Sequence, residues 1–165
     1  EGAAEFYHFL TRRRPSATFD DDFGAVPNAP PFDWDLREQG DLAADLAQAG
    51  GELSIRAVGG ARGIAVRRLI PAREGRYRLV LAGREGDQQD FGVLRPSVRY
   101  ACGGSIGVEG VELQAEQLEA RWTISNPRCP YYWLELMTAV EPGGRPVSLS
   151  ITSAQLGRLS ESGRD

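Results

Sequence analysis

Two strand-like runs, each carrying one of the chain's two cysteines, constrain this sequence more than anything else in it. In Val98-Arg99-Tyr100-Ala101-Cys102, the residues Val98, Tyr100 and Cys102 alternate with Arg99 and Ala101, the period of a half-buried strand. The second run extends from Arg128 through Cys129 and Pro130 to Leu136, with Leu134 and Leu136 again at period two. The economical reading is one bridge, Cys102–Cys129, pinning neighbouring strands of a β-sandwich; two free core thiols are the alternative. Closing a loop of that length stabilises a domain by roughly 3–4 kcal/mol in the chain-entropy account. A bridge also implies a periplasmic or extracellular home in the cell envelope.

The rest of the chain repeats the strand pattern. Leu53-Ser54-Ile55-Arg56-Ala57 alternates and is followed by Gly59-Gly60, while Ile64 to Leu69 leads into the turn residues Pro71 to Gly75. Tyr77, Leu79 and Leu81 share one face of the next run, Ala120, Trp122 and Ile124 one face of another, and Val147, Leu149 and Ile151 close the series. Short strands separated by turn chemistry predict an all-β sandwich or barrel, and with the paired cysteines the expectation is a sandwich of two antiparallel sheets. Ahead of it, Ala3, Phe6, Tyr7 and Leu10 fall at helical spacing, arginines follow, and Pro15 stops the pattern. A short N-terminal helix is therefore expected within residues 1–17, read as a connector from a missing upstream region or as a lid on the sandwich. The sandwich is expected over 18–159, with one helical turn at Leu42–Gln48 and a flexible tail at 160–165.

Composition bounds the function. The net charge of −4 argues against a nucleic-acid partner, which would call for a basic face. No run of roughly 18–20 apolar residues is present, so direct membrane insertion is not expected. The chain has one histidine, His8, and no lysine, which leaves no zinc cluster and no phosphate loop ending in Gly-Lys-Ser/Thr. Gly103-Gly104-Ser105-Ile106-Gly107 satisfies G-x-S-x-G, but that elbow needs a helix after it and a downstream histidine. Val108-Glu109-Gly110-Val111 is a poor helix, and His8 lies upstream. Asp20-Asp21-Asp22 with Asp33 and Asp35 offers oxygen ligands without EF-hand spacing, and reads as a solvated acidic loop. No metal, cofactor or catalytic residue is assigned, and the expectation is a non-enzyme.

Phe32-Asp33-Trp34, the Leu53-Ser54-Ile55 strand and Gly75-Arg76-Tyr77-Arg78-Leu79 resemble the jelly-roll carbohydrate-binding modules. More narrowly, paired cysteines with Cys129-Pro130 before a Leu-x-Leu strand are similar to a C-terminal domain of envelope and tetratricopeptide-type proteins of Gram-negative bacteria. The likeness spans Phe19 to Leu156 and implies a jelly-roll sandwich. Such modules often hold a structural calcium through an aspartate in the final strand; Ile151-Thr152-Ser153-Ala154-Gln155 has no carboxylate, so that site is not carried over.

Strand phase nominates a binding face. Leu134 and Leu136 claim the buried phase, which leaves Tyr131, Trp133 and Glu135 on the opposite side. An exposed ring beside a carboxylate suits a sugar, since the ring stacks on C–H faces while polar neighbours bond hydroxyls. Arg99 and Arg121 point outward by the same logic and are expected to flank the ring. The expected partner is a glycan, an exopolysaccharide or cell-envelope sugar. The rival is an envelope protein or an upstream domain docked on the same face, with Trp133 covered by a loop or the N-terminal segment.

Overall fold

Alternation becomes strand along most of the sequence, and two stretches of sheet fold over one shared core. The computed structural model describes residues 2, 4, 5, 8, 14–25, 27, 29–47, 51–84, 91–114, 116–127 and 129–160. The strands are β1 (Phe19–Asp21), β2 (Asp35–Leu36), β3 (Glu38–Gln39), β4 (Leu42–Ala47), β5 (Glu52–Ala57), β6 (Arg62–Pro71) and β7 (Gly75–Gly83). After a 3-10 turn at Phe91–Val93 come β8 (Leu94–Tyr100), β9 (Ser105–Ile106), β10 (Val108–Gln114), β11 (Gln117–Ile124), β12 (Tyr131–Ala139) and β13 (Val147–Leu159).

An eight-stranded antiparallel sheet runs β10-β11-β7-β13-β5-β4-β3, with β1 also on β13; a five-stranded one runs β2-β6-β12-β8-β9. β13 is the rail of the larger sheet. One of its edges pairs with β7 over Ile151–Leu159, and the other takes β5 at Val147–Ile151 and β1 at Ala154–Leu156. Inward-facing residues of both sheets, including Leu53, Ile55, Tyr77, Leu79, Leu81, Trp122, Leu134, Leu136 and Leu149, merge into a single apolar cluster. Each fully buried Leu or Ile contributes roughly 1.5–3 kcal/mol of transfer free energy. Tyr77, Trp122 and Tyr132 stack and abut at ring separations of 6.1–6.3 Å in its centre. Trp34 and Trp122 are both buried, as their apolar neighbours in sequence suggest.

The open side of the sandwich near β1 and β2 is closed by an inward-facing arginine. Arg68 on β6 donates from Nε to the Phe32 carbonyl at 2.8 Å and lies 3.4 Å from Asp21 Oδ2 and 3.9 Å from Asp33 Oδ1. Its guanidinium also sits 4.4 Å from the Phe19 ring centroid and 5.8 Å from that of Trp34. The expected solvated acidic loop is therefore corrected for Asp21, Asp33 and Asp35, while Asp20 and Asp22 are exposed. Asp21 accepts from Phe23 N–H and Trp34 Nε1, Asp33 from Ala29 N–H, and Asp35 binds Arg37 and Arg67.

The Cys102–Cys129 disulfide is formed, with Cα atoms 6.1 Å apart. It joins the segment after β8 to the segment before β12, and these strands are hydrogen-bonded neighbours in register Tyr100↔Tyr132. Two expectations are corrected. Leu42–Ala47 is not a helical turn but β4, paired with β5 along its whole length. No N-terminal helix is bounded among the described residues: most of residues 1–13 lie outside them, and the four that are described, Gly2, Ala4, Glu5 and His8, carry helical backbone. The tail at 161–165 also lies outside the described residues. Among those described, no helix is long and apolar enough to cross a membrane.

Candidate functional site

β12 occupies the middle of the five-stranded sheet, between β6 and β8, so its outward side chains sit at the centre of that sheet's outer face. Register sets the rows. Trp133 lies between Leu69 and Arg99, Glu135 between Arg67 and Ser97, and Tyr131 beside Pro71. Tyr131, Trp133, Glu135 and Arg99 thus come together on one face, as strand phase predicts.

Their environments differ from an open platform in two respects. Glu135 is only 3% exposed despite pointing outward, because Arg99 covers it: Arg99 Nε and Nη2 donate to Glu135 Oε1 at 3.0 and 2.8 Å. A carboxylate this far from water needs such a partner. The same bond holds the Arg99 pKa above its ordinary value, since it stabilises the charged guanidinium. Trp133 is half-buried, and the guanidinium carbon of Arg67 lies 4.2 Å from its ring centroid. Arg67 reaches there as a diagonal cross-strand neighbour, and its Nε donates to Asp35 Oδ2 at 2.8 Å. One face of the indole therefore carries a cation tied to β2. Tyr131 packs edge-on against Phe32 at 5.5 Å and anchors the entry loop.

Arg121 belongs elsewhere, which corrects its expected place beside Trp133. Its strand, β11, lies in the eight-stranded sheet, so its outward side chain is on the opposite surface of the sandwich. There it bridges Glu119 Oε1, 2.7 Å from Nε, and Glu112 Oε1, 3.3 Å from Nη1. Arg78 makes a short contact with the other Glu119 oxygen. The Arg78 hydrogen bond, and after it the one from Arg121, holds the Glu119 carboxyl below the ordinary carboxylate value. Phase reports inward or outward; it carries no information about which sheet. Strand phase likewise does not bring Arg67 and Asp35 to Trp133, because the register of β6 against β12 is set by tertiary pairing.

The G-x-S-x-G match is a turn and a short strand. Ser105 lies in β9 on the edge of the five-stranded sheet, and β10 follows instead of a helix. Among the described residues, no three histidine, cysteine or acidic side chains gather as a metal site. Compared with known proteins, the chain matches no family model, no curated protein and no solved structure.

Proposed function

We propose that this domain is a non-catalytic binding module that engages a glycan on the outer face of the five-stranded sheet, in an oxidising compartment of the cell envelope. The observation that carries the reading is the Tyr131–Trp133 pair beside two anchored guanidinium groups. Trp133 and Leu69 supply apolar surface, while Arg99 and Arg67 are held in place by Glu135 and Asp35. Preorganised donors around an apolar strip suit a sugar, whose C–H faces and hydroxyls alternate. With Arg67 above the indole, the ligand meets the ring edge and the guanidinium plane together.

A jelly-roll assignment is supported by strand order. β5-β13-β7-β11 lies against β6-β12-β8-β9, and from β5 onward the chain changes sheet at β5→β6, β6→β7, β7→β8, β9→β10, β11→β12 and β12→β13. That alternation is the mark of an eight-stranded double-sheet roll, with β10 added as a hairpin outside β11. The disulfide favours an envelope or extracellular setting.

A glycan array of the domain, run beside Trp133→Ala and Arg67→Ala, tests the reading. The expected outcome is wild-type binding that Trp133→Ala abolishes and Arg67→Ala alters. Absence of glycan binding would turn attention to the second reading, a protein-docking face. That alternative is favoured by the internal neutralisation of Glu135 and Asp35, which leaves the face with paired charges before any ligand arrives.

A further inference from the structure

β10 ends the larger sheet, and its outer edge pairs with no strand among the described residues. Every residue from Glu109 to Gln114 is exposed. Two of them are large and apolar, Val111 at 43% and Leu113 at 52%; Val58, beside the turn after β5, is the third such exposed side chain among the described residues. Register gives the pair its direction. Val111 lies opposite Ala120 and Leu113 opposite Leu118, both fully buried, so Val111 and Leu113 stand on the core-facing side of the sheet. They stay uncovered because the smaller sheet stops short: it ends at β9, a two-residue strand that pairs with β8 only at Val98 and Arg99.

An open strand edge beside apolar side chains is a template for one more strand. The residue order of β10 decides which strand fits. A bulge at Glu109 and the strand's end at Gln114 bound the regular edge to residues 110–114, Gly-Val-Glu-Leu-Gln. An antiparallel copy of this segment that uses the whole edge has Glu112 on the twofold axis. It sets Val111 opposite the second copy's Leu113 and Leu113 opposite its Val111, so four apolar side chains meet on the core-facing side. A two-residue shift would either set Leu113 against the bulged Glu109 or leave only residues 112–114 paired. The two Glu112 carboxylates face each other at the axis, but each is already bridged by the Arg121 of its own chain at 3.3 Å, which offsets their repulsion.

We propose that β10 is a homodimerisation edge: it pairs antiparallel with β10 of a second copy of this chain about a twofold axis at Glu112, joins the two larger sheets and covers Val111 and Leu113. The contact is isologous and occupies the edge on both chains, so it closes at two copies. Its ladder is short, and it hides less than the roughly 1,200–2,000 Å² of a standard stable interface, so the dimer is a reversible one. The interface lies on the other sheet from Trp133 and does not depend on the glycan reading.

Sedimentation equilibrium of the whole 165-residue chain over a wide concentration range is the test. A monomer–dimer equilibrium is expected. Leu113→Glu should raise its dissociation constant at least about tenfold, because each copy then sets a carboxylate against Val111 of the other. Val58→Glu, an equally exposed site away from this edge, should leave it unchanged. Both variants replace exposed side chains, and their thermal midpoints should match the wild type. Register is read separately: with a mild thiol oxidant, Glu112→Cys should form an interchain disulfide at the axis faster than Arg56→Cys does. A wild type that stays monomeric at every concentration would overturn the proposal and leave the edge to an extended strand of a different protein. A dimer untouched by Leu113→Glu, or weakened as much by Val58→Glu, would also overturn it, as would equal cross-linking of the two cysteine variants.

Discussion

Glu135 and Glu119 both point away from the core yet are 3% and 8% exposed, because arginines lie over them. Each is a carboxylate whose desolvation is offset by charged donors, so removing one partner leaves the other poorly solvated. For Glu119 the folded-state pKa is depressed below the ordinary 4.5, chiefly by the hydrogen bond from Arg78. Its stabilisation is therefore fully present above that ordinary value and is lost as pH falls through the lower folded value. Thermal midpoints measured down the acid limb should drop for the wild type and drop less steeply for Glu119→Gln, which starts from lower stability at neutral pH. Arg68→Ala should cost about 3 kcal/mol in urea denaturation, since it strips the Phe32 carbonyl, two aspartates and two rings of one shared partner. Thr138 offers the opposite case. Its Oγ1 is buried without a hydrogen-bond partner among the described residues, so Thr138→Val should keep stability or raise it by up to about 1 kcal/mol. A clear loss in that variant would mean the hydroxyl is satisfied in solution.

Among the elements, β7, β11 and β12 were readable because their inward apolar residues keep period two along unbroken ladders, β7 with β11 and β12 with β8. β4 was not, because Leu-Ala-Ala-Asp-Leu-Ala is made of good helix formers, and only its pairing with β5 overrides that preference. In β13 the alternation breaks where the register shifts between Ile151 and Ser153. Buried Ala154 and Leu156 therefore fall out of phase with Leu149 and Ile151, and the strand looks half its true length. At the site, phase placed Trp133, Glu135, Tyr131 and Arg99 on one face but could not separate Arg121 onto the other sheet. Register alone brings Arg67 over Trp133. The disulfide ties the segments beside β8 and β12 across a separation of 27 residues. Replacing both cysteines with serine should lower stability by about 3 kcal/mol, read as a shifted denaturant midpoint with unchanged slope. An unchanged midpoint would show that the hydrogen-bonded ladder between β8 and β12 already fixes that loop.

At the scale of the molecule, the buried apolar residues of both sheets form one core among the described residues. Far-ultraviolet and near-ultraviolet circular dichroism should therefore report a single coincident unfolding transition. Separate transitions would mean that one sheet outlives the other. The position of β13 has a further consequence for how the chain reaches this state. The strand that joins β7 on one edge to β5 and β1 on the other is supplied by residues 147–159, long after its partners in sequence. A nascent chain that has emerged only as far as β12 holds β5 and β7 with a strand-wide gap between them, and β1 with no partner. Those unpaired edges are templates for pairing with other chains. Assembly of the larger sheet thus waits on one late insertion, and its success depends on keeping the waiting edges apart from those of neighbouring molecules.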